Sequence, residues 1–378
     1  MDVDFFVGLL SLALVKGTPL AFGAMCGLMC ERSGVINIGI EGMMLVGAMM
    51  SYLGSIYFNN LTGGALPVNL SLFAGLLVAM LSAALIAALH AVLCIHYKVD
   101  QIISGTVINL LAVGITNFVT STVIDRVHLA GVGVFPPISI PLLSDIPILG
   151  PILFTHQPLV YLMLILVVGL NFAIFNTPWG LRTRAVGEHP RAADTVGINV
   201  FRMRYLNVTL GGMVAGLGGA FLVLESVGRF EKFMTTGRGF IALAALIFGK
   251  WTSTGALSSA LLFGFSEALG VRLQFRDVNE LQTLVFLSGA GILGLALIWG
   301  VLKAVRGVND QRSPRLILGL GLAGAALLAA AFLVTFKPVE IPVQFLGLLP
   351  YVLTMLVLTG LVGRAVPPAA VGKPYEKQ

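Results

Sequence analysis

The sequence predicts an all-α fold, a polytopic membrane bundle of about nine or ten full spans plus one short half-helix. Three observations predict it. Hydrophobic residues fill 57% of the 378 positions and charged ones only 11%, against roughly 25% charged in a soluble domain. The mean hydropathy is +0.96. Apolar runs near the ~20 residues that cross about 30 Å of hydrocarbon recur along the chain, separated by short loops rich in Lys and Arg.

The first run, Phe5 to Cys30, is interrupted by Lys16, Gly17 and Pro19, which favours an interfacial piece followed by a span. Clearer runs follow at Ile36–Phe58, Asn69–Tyr97, Ile102–Ile124 and Leu159–Thr177. Next come Tyr205–Ser226, a short Phe240–Gly249 segment and Ala256–Val271, and then Leu281–Lys303, Leu316–Phe336 and Leu346–Val362. The acidic N-terminus and the lack of a small-residue cleavage site after the first run argue against a signal peptide.

Between Trp179 and Arg204 the chain leaves the apolar pattern for a compact basic loop, WGLRTRAVGEHPRAADTVGINVFRMR. Arg182, Arg184, Arg191, Arg202 and Arg204 face only Glu188 and Asp194 there. Pro190 suits the first turn of a helix, where a missing N–H is no loss, and Gly197 suits its exit. A helix of about two turns outside the bilayer has no apolar face long enough to span. It reads as a handle for another protein.

Placing residues 178–204 in the cytosol puts Arg32, Lys98, the 303–315 loop and the C-terminal tail on the same side by alternation. That side then carries 14 Lys+Arg and the opposite side seven, so the bias favours this orientation. The N-terminus lies outside and the tail, GRAVPPAAVGKPYEKQ, inside. The same distribution accounts for the pI near 9.4 without nucleic acid. Cys26, Cys30 and Cys94 sit in apolar stretches without ligand spacing to His, which reads as buried thiols and neither a metal site nor a disulfide.

Val227–Gly249 departs from the span pattern. FEKFMTTGRG precedes only about ten apolar residues, a helix rising roughly 15 Å, half the hydrocarbon thickness. A half-helix opening after Gly237 and Gly239 would aim free N–H groups at a polar cavity within the membrane. The alternative is a loop followed by a tilted span.

Polar residues inside the spans are the candidates for a solute path. Asn37 and Glu41 lie four apart on one face of the second run, and Gly105, Asn109, Thr116 and Thr120 recur at helical spacing in the fourth. Thr236 in the TTGRG stretch joins Asn37, Glu41, Asn109 and Thr116 as a path candidate. Each has a structural alternative: Glu41 pairs with Arg32 or caps a turn, Glu267 pairs with Arg272, and Asn and Thr serve as interhelical hydrogen bonds. Gly23xxxGly27 and Gly212xxxGly216 read as close helix packing.

No GxxxxGK[ST] loop occurs, since Gly249-Lys250 leads into Trp251, so the P-loop route to ATP is closed to this chain. The spans carry no run of buried acids and histidines for a proton relay, and no cluster of His, Cys or paired carboxylates for an enzyme. A pore with neither motor nor proton wire takes its energy from outside, and the basic handle marks where the motor docks. The rival from another class is a self-contained carrier driven by an ion gradient.

Four stretches carry a family resemblance: GTPLAFGAMCGLMCERSGVINIGIEGMMLVGAMMSY (Gly17–Tyr52), DQIISGTVINLLAVGIT, RAVGEHPRAADTVGIN and TTGRGFIALAALIFGKW. Together they resemble the permease subunits of bacterial ABC importers, in the wider family of branched-chain amino acid and ribose permeases. The match is nearest the nucleoside (simple sugar/purine nucleoside) branch, which the ending LPYVLTMLVLTGLVGRAVPPAAVGKPYEKQ also resembles. The resemblance covers residues 17–272 and 341–378 and implies a type II-like permease fold in the cytoplasmic membrane. It departs from that branch at 278–340, which reads as a two-span insertion packed peripherally against lipid.

The resemblance further implies no cofactor of the chain's own, with ATP bound by a separate cytosolic ABC ATPase. It implies a second, non-identical permease as partner and an extracytoplasmic substrate-binding lipoprotein that delivers nucleoside. Ribose-type sugars and branched-chain amino acids are the alternative cargo. On this reading Glu188, His189, Pro190, Arg191, Asp194 and Gly197 form the ATPase-coupling segment.

Overall fold

The computed structural model describes residues 3–274 and 365–377, apart from 66, 128 and 130. The chain divides into two compact units, 1–268 with 364–378, and 269–363, and the account below concerns the first. The expected runs at Leu281–Lys303, Leu316–Phe336 and Leu346–Val362, and the expected insertion at 278–340, lie outside the described residues.

The described chain is helical almost throughout. Its long helices are α1 (Val3–Arg32), α2 (Ile40–Leu61), α3 (Val68–Ala91) and α4 (Gln101–Val119). A three-residue turn α5 (Asp125–Val127), a short α6 (Leu149–Leu153) and the two-residue strands β1 (Ile138–Ser139) and β2 (Thr155–His156) follow, the strands pairing antiparallel. Then come α7 (Pro158–Asn176), α8 (Pro178–Glu188), α9 (Pro190–Thr195), α10 (Val200–Phe221), α11 (Arg238–Phe248) and α12 (Ser253–Gln274). Single π-helical turns extend α3, α4 and α10.

Six of the described helices are long and apolar enough to cross a membrane, ending on α12. α2, at 22 residues, has the length, with Glu41, Asn59 and Asn60 diluting its apolar content. These seven and the 11-residue α11 match the runs expected up to Val271. The first run differs from expectation: α1 is one 30-residue helix with Pro19 inside it. Lys16 does not end the span because it pairs with Glu267 at 3.1 Å. Gly17 is no break either, since α12 packs so closely there that a side chain would crowd Ala260 and Leu261.

α10 is the axis of the bundle. Burial reaches 78% of its most apolar stretch, against 28% for α4 at the periphery. Its glycines explain how: a Cβ on Gly216 would lie 2.6 Å from the Ala79 carbonyl oxygen, one on Gly47 of α2 would lie 2.8 Å from Gly216 Cα, and one on Gly212 would strike Ala87. α3 and α2 therefore approach α10 at backbone distance, as the Gly212xxxGly216 spacing predicted. Gly23 and Gly27 likewise seat α1 on α11, against Ala242 and Leu246. The outward faces remain apolar and exposed, with Leu77, Leu85, Leu110, Phe118, Val168 and Phe172 among them. In a bilayer such faces meet lipid at no desolvation cost.

Candidate functional site

Two short helices, α11 and α9, interrupt the pattern of long spans, and each is held by side chains from elsewhere in the chain. α11 begins after Gly237, whose φ of +83° turns the chain into the helix. At about 16 Å it covers half a bilayer's hydrocarbon. The Gly237 N–H donates to Glu41 Oε1 at 2.8 Å and the Gly239 N–H to Glu41 Oε2 at 2.6 Å. A Cβ on Gly239 would lie 2.5 Å from Glu41 N and Cα, so only glycine lets α11 reach the start of α2. The N–H groups expected to be free at this end are thus taken by a carboxyl group.

The other end of α11 mirrors the first. Lys250 and Trp251 turn the chain back at φ +54° and +52°. Arg32 donates to the Trp251 carbonyl from Nε at 2.9 Å and Nη2 at 2.6 Å, and Trp251 Nε1 donates to Glu31 Oε2. An acid at the N-terminus and a guanidinium at the C-terminus oppose the helix dipole at both ends. Arg238, in the first turn, meets Glu267 at 3.1 Å, and Glu267 also pairs with Lys16. Glu267 therefore ties α1, α11 and α12 together, and its partners are not the Arg272 that spacing offered.

The remaining path candidates surround the start of α2. Asn109 Oδ1 accepts from Gly42 N–H at 2.8 Å and its Nδ2 donates to the Ile38 carbonyl at 3.0 Å, splinting α4 to the 37–42 turn. Asn37 is fully buried, its Nδ2 reaching only the sulfurs of Cys30 and Met43 at 3.5 Å and Cys26 at 3.8 Å. Asn37 Oδ1 has no hydrogen-bond partner among the described residues. Thr116 is buried and bonds back to the Ala112 carbonyl at 2.8 Å. Thr236 is exposed, with φ +46°, and accepts from Arg238 Nη1. The structure thus gathers Asn37, Glu41 and Asn109 around the start of α2, where only Glu41 of the three bonds to α11, and leaves Thr116 further along α4 and Thr236 in the exposed turn ahead of α11.

The basic loop folds as an elbow of two helices, where the sequence offered one. α8 opens on Thr177, whose Oγ1 accepts from Gly180 N–H at 3.2 Å. α9 opens on Pro190 and closes at Gly197, with φ +83°. Gly197 N–H returns to the Asp194 carbonyl and Ile198 N–H to the Ala193 carbonyl, the paired bonds of a glycine-terminated helix. Pro190 and Gly197 therefore occupy the capping places their residue types favour. His189 and Arg191 are exposed, and Glu188 and Asp194 are half-buried.

The C-terminal tail, 365–377, lies on this elbow. Ala370 N–H donates to the Gly187 carbonyl at 2.9 Å, Gly372 N–H to the Gly34 carbonyl at 3.2 Å, and Ala369 N–H to Glu188 Oε2 at 3.0 Å. Tyr375, 6% exposed, packs with Val186, Ala193 and Val200, its ring 5.4 Å from that of Phe201. Burial, and then the Asp194 carboxyl beside it, pushes the Tyr375 hydroxyl pKa up. Glu376 meets Lys98 at 2.6 Å, which holds its carboxyl below the usual range. The elbow, the tail, Lys98 and the Arg32–Gly34 turn thus share one end of the bundle, as the basic-residue alternation required.

Three residues of this arrangement escaped sequence reasoning. The sequence offers Trp251 as the residue that spoils a P-loop and as the end of the TTGRGFIALAALIFGKW stretch, with no partner for it. Glu31 beside Arg32 was a signal, because paired charges at the end of a span need a partner when buried. Arg204, counted as a loop arginine, is 2% exposed in α10.

A bundle of membrane-length helices with a capped half-helix and an extramembrane elbow defines a membrane transport protein in architecture. The chain matches the family described as branched-chain amino acid transport system / permease component over residues 9–290. It is 37% identical to the guanosine ABC transporter permease protein NupQ of Bacillus subtilis over 369 residues, covering 96% of this chain and 95% of that protein. It is 38% identical to the nucleoside ABC transporter permease protein NupC of Lactococcus lactis over 262 residues, 68% of this chain and 80% of that protein. The putative glucose ABC transporter permease protein TsgC13 of Haloferax volcanii is 37% identical over 276 residues, 72% of this chain and 79% of that protein. No solved structure matches the chain. The chain belongs to the permease component family of branched-chain amino acid transport systems.

Proposed function

We propose that this chain is the membrane-spanning permease subunit of an ABC importer for nucleosides. A separate cytosolic ATPase drives it through the α8–α9 elbow, and it works with a second permease and a substrate-binding lipoprotein. The observation that carries the reading is the pairing of a rigidly capped, outward-facing elbow with two nucleoside-named relatives of more than a third identity. An elbow at the same end as the C-terminus, rich in arginine, supports a cytosolic placement of both.

Mechanically, ATP must favour one closed state of the motor, and the elbow must pass that preference on as a difference in the affinity of the two pore states. Arg191, exposed at the tip, is the elbow's most available contact, with His189 beside it; Pro190 and Gly197 set the helix ends. Glu188 and Asp194 face the tail as well as the surface, so their coupling role runs partly through it. For cargo, the neutral amide of Asn37, whose oxygen has no hydrogen-bond partner among the described residues, suits an uncharged sugar–base molecule better than a zwitterion. The TsgC13 likeness makes glucose the natural competitor.

The test is reconstitution in liposomes. With the ATPase, the second permease and the binding lipoprotein, guanosine accumulates on ATP addition, and excess glucose does not compete. Concentrative uptake by this chain alone under an ion gradient would replace the reading with a secondary carrier.

A further inference from the structure

The tail is tied to the elbow by more than surface contact. Arg204, near the start of α10, directs Nε to the Ser33 carbonyl at 3.2 Å and Nη1 to the Lys373 carbonyl at 3.1 Å. Its Nη2 has no hydrogen-bond partner among the described residues and sits where a Cβ on Gly34 would stand, 2.8 Å away. Gly34, at φ +93°, leaves that space. Arg204 thus joins three segments: the α1–α2 turn, α10 and the tail. The described residues give this buried cation two carbonyls and no carboxylate. A buried guanidinium held so sparingly is costly to leave half-paired, so the tail's carbonyl matters to it.

Tyr375 makes the second tie. It fills the junction of α8, α9 and α10 rather than lying along the surface. The third is the backbone pair, Ala370 to Gly187 and Gly372 to Gly34, which stitches the tail to the end of α8 and to the turn after α1. Gly187 itself packs on the Arg32 backbone, and Arg32 holds the C-terminal end of α11. The tail therefore spans the two segments through which a displaced elbow would reach the half-helix.

We infer that the C-terminal tail, locked by Arg204 and Tyr375, is a brace that positions the elbow against the α1–α2 turn, so that elbow movement is transmitted to α11. This rests on the elbow being the ATPase seat. Tyr375 and Arg204 are positioning residues, touching neither substrate nor nucleotide. Without the brace the motor still docks, but the elbow moves without carrying the turn with it.

The experiment compares three variants of the full complex in proteoliposomes, Tyr375→Ala, Arg204→Lys and a chain ending at 364, by ATP hydrolysed per nucleoside imported. Tyr375→Ala and the truncated chain are expected to raise that ratio about fivefold or more, and Arg204→Lys less, because an ammonium can still reach one of the two carbonyls. Arg191→Glu is measured alongside. If Arg191→Glu abolishes stimulated ATPase while the tail variants keep the wild-type ratio, the brace is overturned and the ATPase seat stands. If all leave uptake unchanged, the seat itself fails. Hydrogen exchange on the unaltered complex decides the matter should the variants not assemble. Slow exchange at Ala370 and Gly372 that changes with nucleotide state supports the brace. Exchange at free-peptide rates, or protection indifferent to nucleotide, overturns it.

Discussion

The half-helix and the elbow use the same device in two media. Glu41 gathers two backbone N–H groups at the start of α11, and Glu188 takes one N–H from Ala369 of the tail. Glu41 is only part-buried, but inside the bundle water makes up less of its loss, so each abandoned N–H keeps most of the desolvation penalty. At the elbow, water replaces Glu188 at once. The membrane thus turns an ordinary helix cap into a structural necessity, and leaves its surface counterpart free to serve contact with a partner.

The largest expected effect follows from removing the inner cap. Glu41→Ala leaves two N–H groups unpaired, at about 1–3 kcal/mol each, and should abolish uptake while lowering the thermal midpoint of the detergent-solubilised chain. Glu41→Gln keeps one acceptor oxygen and should fall between. If Glu41→Ala melts like the unaltered chain, the cap is not structural and Glu41 returns to the list of solute contacts. Gly239→Ala should approach the same severity, because its Cβ cannot share space with the Glu41 backbone.

The next effect tests the opposite end of α11. Arg32→Ala removes both donors to the Trp251 carbonyl and also the cation 5.5 Å over the Phe175 ring, whose other neighbour is Arg184 at 5.3 Å. A loss of about 2 kcal/mol is expected, since water at the bundle's end makes up part of the deficit. Uptake should suffer more than stability, because Arg32 touches the elbow's α8 through its backbone and the half-helix through its side chain, and the variant cuts the second link. Equal losses in both would make Arg32 a packing residue only.

Much of this was legible in the chain. The hydropathy runs gave the seven long helices because span length is imposed by the bilayer and by little else. Pro190 and Gly197 placed α9, since helix ends are local chemistry. The short apolar run after Gly237 foretold α11 for the same reason. What composition could not reveal was pairing at a distance: Glu41 with residue 237, Arg32 with residue 251, Arg204 with residue 373. Each is a single charged group near a span end; of the two local roles open to Glu41, pairing with Arg32 and capping a turn, the fold uses the second, on a turn far along the chain. Lys16 and Gly17 suggest a break because the packing of α12 on α1 is invisible to a local rule.

Glu188 provides the third contrast. Glu188→Ala removes one exposed hydrogen bond and should shift stability by no more than about 0.5 kcal/mol. If Glu188 also meets the ATPase, stimulated hydrolysis drops severalfold in the same variant. Stability and activity then separate at the elbow, where at Glu41 they fall together. Joint loss at both sites would erase the distinction between the two media.

The smallest effect concerns the tail's outermost tie. Lys98 and Glu376 are both solvent-exposed, with 42% and 69% of their side chains accessible, so the pair contributes little at physiological salt. Its sign is still fixed. The hydrogen bond and charge of Lys98 lower the Glu376 pKa in the docked tail from the ordinary 4.5. Docking therefore favours the ionised carboxyl. The contribution is complete above pH ~4.5 and disappears as pH falls through the lowered value. Raising salt to about 1 M, where screening acts over roughly 3 Å, should weaken the pair at neutral pH as well. Exchange protection at Ala370, corrected for the intrinsic rate, reports both dependences, and Lys98→Met should remove them together. Protection that is insensitive to acid and salt in the unaltered chain would assign tail docking wholly to Tyr375 and the backbone bonds, the part of the contact that water and ions cannot replace.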